Sequence, residues 1–414
     1  MLALHQKGAY PSAARPRYRH DGPVDTHNPK AHGRDPEASQ ANWMELFFDL
    51  VFVALIGQLA NGLRTHATFT ELGIFLALFA SVWWTWVNLT FTSNVQSGLS
   101  RRAMAGFVMA AMAGVGVLAV AAPEAVGELA WLFAIGNAAV RAVLLALWVR
   151  RSWATGFGAR IRLLTYNGGT AILWLVSAFL PAPVDYVLWA AAILIEIVLL
   201  IVTAPSMLAR FRTVNVDHLA ERFGTLVIIT LGECVLSIVT TLSKEPSPLP
   251  AVVAGMGLVI TAALAWSLFI YGVDAMRSGL EKLVAAKDSH GIVETFAFLP
   301  FLLVAGIMTL AGALSVAIRE PMLTLPPVSA VSLGAGVALV YTANAIISAR
   351  YGTDARNVVQ WAAPAIILPA AVIPVALLAP AIYAAAAMTL VLIIIVLLTE
   401  ARSRTKASTK NLAV

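Results

Sequence analysis

Residues 381–398 read AIYAAAAMTLVLIIIVLL, eighteen positions without one charged side chain, and the basic segment Arg402-Ser403-Arg404-Thr405-Lys406 follows closely. A helix needs about 20 apolar residues to cross the hydrocarbon layer of a bilayer, and flanking Lys and Arg mark where it leaves that layer. Working back from this span at 381–399, eleven more stretches approach the same length: 43–63, 71–93, 102–121, 127–149, 161–180, 185–204, 222–243, 250–273, 291–315, 326–349 and 357–379. The composition agrees. Hydrophobic residues fill 59% of the 414 positions and charged residues only 12%, against roughly 25% charged in a soluble domain. The sequence therefore reads as all-α, a polytopic integral membrane protein with about twelve transmembrane helices.

The basic residues set an orientation. With the N-terminus inside, the segments on the cytoplasmic side hold twenty-four of the twenty-eight Lys and Arg residues. Arg64, Lys244 and Arg319 fall in the opposite loops, and Arg141 alone falls inside a span. An error in the span count would scramble this alternation, so the charge pattern supports the segmentation as well as the orientation. Both termini are expected in the cytoplasm. Residues 1–42 are polar throughout and carry Pro11, Pro16, Pro23, Pro29 and Pro36, which reads as a disordered cytoplasmic arm. The expected organisation continues with a first six-helix half (43–204), a cytoplasmic loop and helix start (205–221), a second six-helix half (222–399) and a cytoplasmic tail (400–414). The net charge of +6 is explained by topology and implies no nucleic-acid partner. The lone Cys234 excludes a disulfide framework and a thiolate metal cluster.

The two halves show a faint likeness. Glu45-Leu46-Phe47-Phe48-Asp49-Leu50-Val51 opens span one, and Glu221-Arg222-Phe223-Gly224-Thr225-Leu226-Val227 opens span seven. Aligned without gaps, Glu45/Glu221, Phe47/Phe223, Leu50/Leu226, Val51/Val227 and Leu55/Leu231 are identical. Trp84 and Trp266 recur in the helices that follow. Spans six apart share an orientation, so the pattern suggests a six-plus-six parallel repeat, whose site would lie near the bilayer middle between the halves.

Ionisable groups inside a bilayer cost about 2.5–3.5 kcal/mol each at its centre and are functional candidates for that reason. Glu45 and Asp49 lie one turn apart on span one. Arg141 is in span four, Glu196 in span six and Glu233 in span seven. At about 1.5 Å of rise per residue, Asp49 lies roughly 9 Å from its cytoplasmic end, Arg141 and Glu196 roughly 12 Å, and Glu233 roughly 16 Å. These four are expected in one layer, where one Arg cannot neutralise three carboxylates. At least one acid should then hold a proton or face a cation or water. In the competing reading, Asp49 and Arg141 form a structural pair that locks two helices.

Span two carries Trp83, Trp84, Trp86 and Asn88. Trp84 near mid-span, with the Asn88 amide beside it, either lines a substrate cavity or packs against a neighbouring helix. Tyr166-Asn167-Gly168-Gly169 marks a close helix contact or an unwound turn. His218 and Glu221 share a helix face at i and i+3, without a third ligand nearby, so a charged helix start is preferred to a metal site. Metalloprotease, serine-elbow and Walker motifs are absent. No cofactor and no oligomeric state can be read from the chain.

Two motifs carry a family resemblance. Trp43-Met44-Glu45-Leu46-Phe47-Phe48-Asp49-Leu50-Val51-Phe52-Val53 resembles the opening signature of the bacterial low temperature requirement protein A family. His218-Leu219-Ala220-Glu221-Arg222-Phe223-Gly224-Thr225-Leu226-Val227-Ile228-Ile229-Thr230-Leu231-Gly232-Glu233 resembles its second signature. Trp83-Trp84-x-Trp86-x-Asn88 and Arg141 are similar to further family positions. The chain departs from the family pattern at Asn94-Val95-Gln96-Ser97, at Asn137 and at Pro300, which implies a specialised member. The resemblance implies a bacterial plasma-membrane protein named for growth in the cold, without an assigned biochemical activity.

From the residues, the leading expectation is a secondary transporter of a small or amphipathic molecule, coupled to protons or a cation through Glu196, Glu233 or Asp49. The alternative is an integral-membrane enzyme using the same carboxylates as acid and base on a lipophilic substrate, for example in a biosynthetic pathway. A non-transporting cold-adaptation factor is the third. In each case the lipid bilayer is the expected partner.

Overall fold

The computed structural model describes residues 36–95, 100–155, 157–211, 215–244 and 246–412, and the regular elements among them are all helices. Each expected span is helical. Span one is α1 (Pro36–Leu59), extended by the short α2 (Asn61–Thr65). Then come α3 (Phe69–Val95), α4 (Arg101–Ala121) and α5 (Ala130–Thr155). The fifth span is composite: α6 (Phe157–Leu163), a π-helical turn (Leu164–Gly169) and α7 (Thr170–Ser177). The sixth is α8 (Val184–Phe211).

The second half opens with α9 (Val216–Lys244) and α10 (Pro248–Ala286). Its third span joins α11 (Ser289–Val293), a second π turn (Glu294–Phe298) and α12 (Leu299–Arg319). α13 (Pro327–Arg350), then α14 (Ala355–Ala370) with α15 (Val372–Leu378), and finally α16 (Ala381–Leu412) complete the chain. Among the described residues, ten helical segments are long and apolar enough to cross a membrane. Span one and the composite fifth span, the other two of the expected twelve, fall outside that set.

Helices run past the apolar segments at several ends. Residues 1–35 of the expected arm lie outside the described residues, but residues 36–42 already belong to α1. The loop expected at 205–221 shrinks because α8 reaches Phe211 and α9 starts at Val216, and α16 carries the expected tail on to Leu412. Hydropathy marks the part of a helix that lies in hydrocarbon, whereas the backbone ladder continues into water as long as caps and breakers allow.

Those caps are local. Ser100 accepts a hydrogen bond from the Ala103 amide at the start of α4, and Asp288 and Asp354 do the same for Gly291 and Asn357. Pro248 and Pro327 occupy first helical positions, where the missing amide hydrogen costs nothing. Pro300 acts differently. It offers no N–H to the Phe296 carbonyl and its ring crowds that oxygen, so the helix widens into the π turn that precedes it.

Packing follows a repeated order. In the first half α1 packs on α3 and α4, α4 on α5, α5 on α7, α7 on α8, and α3 on α8. In the second half α9 packs on α10 and α12, α12 on α13, α13 on α14, α15 on α16, and α10 on α16. The halves meet where α1 lies against α9. α12 is the most enclosed helix: every residue from Leu303 to Ile318 is buried. It comes close to α13 at Gly306 and Gly336, where an added Cβ on either glycine would lie 2.6–2.8 Å from the other's carbonyl oxygen. Without a hydrophobic driving force between helices in lipid, small residues permit the close contact that holds them together. By contrast α8 presents Val187, Leu194, Val198 and Val202 outward, the apolar surface a membrane protein turns to lipid.

Candidate functional site

The charged residues of the spans do not form the single layer that the sequence suggests. They form three separate groups. The first joins α1, α3 and α9. Arg222 donates from Nη1 to Glu45 Oε2 at 3.3 Å and from Nη2 to Asp49 Oδ1 at 2.8 Å and Thr90 Oγ1 at 3.2 Å. Trp86 Nε1 donates to the same Asp49 oxygen at 2.8 Å, and His218 Nε2 lies 2.8 Å from Glu45 Oε2. Two carboxylates thus share one guanidinium. Asp49 is fully buried and its Oδ2 has no hydrogen-bond partner. Exposure falls inward through the group, from His218 with 24% of its side chain exposed, to Glu45 with 11%, to Asp49 with 0%.

The second group is buried among α3, α5, α7 and α8. Arg141 donates from Nε to Glu196 Oε1 at 2.5 Å and from Nη2 to Glu196 Oε2 at 2.9 Å. Nη1 bonds the carbonyl and side-chain oxygens of Asn137, Nη2 also reaches the Ser81 carbonyl, and the Trp174 ring lies 5.2 Å from the guanidinium carbon. All five N–H donors of the guanidinium have acceptors. The expected pairing of Asp49 with Arg141 is therefore corrected: Asp49 belongs to Arg222 and Arg141 to Glu196.

Glu233 forms the third group, accepting from Arg64 Nη2 at 3.1 Å. Arg64 is in α2, beyond the far end of α1, and Arg319 donates to its carbonyl. Glu233 follows Arg222 by eleven residues on α9, about 16 Å along the axis, so it belongs to the opposite end of the bundle from Asp49. The sequence-based depths were misaligned because Arg222, taken as the cytoplasmic end of its span, lies level with Asp49, six residues into span one. The acid excess narrows to the first group, where Glu45 and Asp49 share Arg222, while Glu196 and Glu233 each have an arginine of their own. Arg64 and Arg222 look like loop and helix-end cations in the sequence, yet Arg222 is almost completely buried. The clue to Arg222 was the Glu45–Asp49 spacing itself, since two acids on one helix face in a dry site require a cation on a partner helix.

Trp84 and Asn88 lie on the α3 face that meets the π turns. Asn88 Nδ2 donates to Tyr166 Oη at 2.9 Å and to the Trp84 carbonyl at 2.7 Å, and the Trp84 ring stands edge-on to Phe298 at 5.2 Å. Trp83 Nε1 donates to the Ala297 carbonyl at 2.6 Å. α3 is thus the hub that touches the first two charged groups and both π turns. Trp266 is half exposed and bonds Glu400, so its surroundings differ from those of Trp84. A separate cleft of about 640 Å³ opens among α10, α13, α14 and α16, and none of the six sequence-derived candidates lines it.

The two sequence motifs meet in the first group: Glu45 and Asp49 from one, His218 and Arg222 from the other. Residues 40–398 match the family described as bacterial low temperature requirement A protein (LtrA). The chain belongs to this family. It is similar to an uncharacterized protein of Rhizobium meliloti (strain 1021), 25% identical over 336 residues that cover 77% of this chain and 79% of the relative. No solved structure matches the chain. The LtrA match spans both charged motifs, so the group at α1 and α9 lies within the family region, whereas the stretch before residue 40 lies outside it.

Proposed function

We propose that this LtrA protein is a secondary transporter of a small amphipathic molecule, driven by a proton that binds the Glu45–Asp49–Arg222–His218 group. The observation that carries the reading is the orphaned Asp49 Oδ2 beside a shared guanidinium. A proton placed there breaks no existing hydrogen bond, because Trp86 and Arg222 both use Oδ1. With His218 neutral the group carries one net negative charge, and one proton cancels it. The graded exposure from His218 to Asp49 supplies an order for the proton's path. Glu233, with Arg64, closes the opposite end of the same α1–α9 contact, so ion pairs at the two ends can open in turn. The repeated packing order of the halves supports a six-plus-six architecture in which α1 and α9 are the central pair. The protein resides in the plasma membrane with both termini in the cytoplasm, which puts the His218 end on the inside.

The test uses inside-out vesicles, an imposed proton gradient and a small-molecule extract of the expressing cells, with each compound followed by mass spectrometry. At least one compound should accumulate with the wild type, and Asp49→Asn should abolish gradient-driven accumulation while leaving exchange without a gradient. Accumulation that is identical in Asp49→Asn would end proton coupling at this site. Chemical conversion of a compound by detergent-solubilised protein would point to the enzymatic alternative.

A further inference from the structure

The corner that holds Arg141 in the first half has a counterpart in the second, and there it is open. In the first half an added Cβ on Gly114 of α4 would meet Val140 and the Gly136 carbonyl of α5. In the second, an added Cβ on Gly306 of α12 would meet Val340 and the Gly336 carbonyl of α13. Arg141 follows Val140 and Tyr341 follows Val340. Arg141 reaches the Ser81 carbonyl on α3, and Tyr341 Oη lies 3.0 Å from Ser267 Oγ on α10. Where Arg141 and Glu196 fill the first corner with a salt bridge, the second has Tyr341, Ser267 and the 640 Å³ cleft.

The cleft's chemistry is graded along its length. From Leu264 to Ala275 on α10 it extends about 16 Å, roughly half of the 30 Å hydrocarbon layer. Its deep wall is Leu264, Leu268, Val340, Ala365 and Ile395. Asn344 and Gln360 lie on the sides of α13 and α14 nearer the turn that joins them, and Arg402 follows Ile395 by seven residues on α16. Among the described residues that line it, none is acidic and Arg402 is the one cation. A volume of this size falls within the roughly 300–1,000 Å³ of sites for drug-sized ligands. Asn344 donates its amide to the Val340 carbonyl, which leaves its side-chain oxygen facing the Gly272 side of the cleft, 3.8 Å from where a Cβ on that glycine would be.

We propose that this cleft binds a single-chain amphiphile, with its aliphatic body between α10, α13 and α16 and an anionic head at Arg402. A guanidinium in a lining that holds no acid selects a carboxylate or phosphate head over a cationic one, and the apolar depth selects a chain over a compact polar solute. Binding itself stands apart from transport; that this amphiphile is the transported molecule rests on the reading proposed above.

The experiment is photolabelling of the full chain in phosphatidylcholine nanodiscs with a diazirine analogue of dodecanoate, mapped by peptide mass spectrometry. Labels should concentrate on α10, α13 and α16 at the cleft and be displaced by unlabelled dodecanoate. Gly272→Leu projects a side chain into the cleft with no backbone clash and should reduce labelling at least tenfold. If that variant does not fold, Ala275→Leu, on the same wall, serves the same purpose. Arg402→Gln should weaken labelling by the acid at least threefold and leave labelling by the matching alcohol unchanged. Asp49→Asn should leave labelling intact, which separates this site from proton coupling. Labelling spread evenly over lipid-facing helices such as α8, or unchanged in the cleft-filling variant, overturns the proposal. So does native mass spectrometry that finds a diacyl phospholipid in the cleft that dodecanoate does not displace.

Discussion

Asp49 grips Arg222 through one oxygen only, Oδ1 to Nη2 at 2.8 Å, while its Oδ2 lies buried without a donor. The relationship is asymmetric, and so are the consequences of breaking it. Asp49→Asn retains an acceptor for Arg222 and Trp86 and removes one of two negative charges that share a cation. It should cost about 1 kcal/mol or less, the worth of an ordinary hydrogen bond. Arg222→Gln leaves Glu45 and Asp49 buried without their guanidinium and should cost about 3–5 kcal/mol. Thermal unfolding in detergent checks the order; equal losses would show that Arg222 is not the common partner.

The Arg141–Glu196 pair predicts a different pattern. Each charge is almost completely buried and bonded to the other at two points, so either single substitution strands a charge. Arg141→Met or Glu196→Met should each destabilise by about 3–5 kcal/mol, whereas the double variant should be less destabilised than either. A double-mutant cycle measures this directly. Additive losses would mean that the two side chains are not coupled.

The orientation is tested with cysteines on a Cys234→Ser background, which removes the one native thiol. Pro183 and Thr353 are exposed in turns at opposite ends of the bundle. In intact cells an impermeant maleimide should label Pro183→Cys and leave Thr353→Cys unlabelled until the membrane is broken. Labelling of Thr353→Cys in intact cells would reverse the assignment drawn from the basic residues.

Span positions and the burial of Asp49, Arg141 and Glu196 were legible because length and apolarity are local properties and a charge inside an apolar segment stands out against them. Pairing was not. Which acid meets which arginine depends on how the helices pack: Arg222 opens the apolar segment of α9, yet it lies level with Asp49, six residues into span one. Arg222 and Arg64 could not be told from loop cations by hydropathy. The Trp83–Trp86 segment gave its location in a span but not its neighbours, since the π turns it contacts arise from Pro300 in one case and lie at Gly168-Gly169 in the other. The open cleft was invisible for a simpler reason: its lining is spread over four helices with no common motif.

Pro364 and Arg402 provide the last prediction, because a missing hydrogen bond explains the position of a charge. Pro364 lies inside α14 and has no amide hydrogen to give the Gln360 carbonyl. Arg402 Nη1 donates to that carbonyl instead, at 2.7 Å. The arginine is exposed, so the bond should be worth no more than about 1 kcal/mol after solvent screening. Arg402→Gln should therefore lower stability slightly in the wild type. In a Pro364→Ala background the new amide satisfies Gln360, and the same substitution should cost nothing measurable. Ligand labelling should behave otherwise: if Arg402 also holds an anionic head, Arg402→Gln reduces acid labelling in both backgrounds. A stability loss that persists in Pro364→Ala would show that the arginine is not replacing the helix's own hydrogen bond. A labelling loss that disappears there would show that Arg402 acts on the cleft only by holding α14 in place.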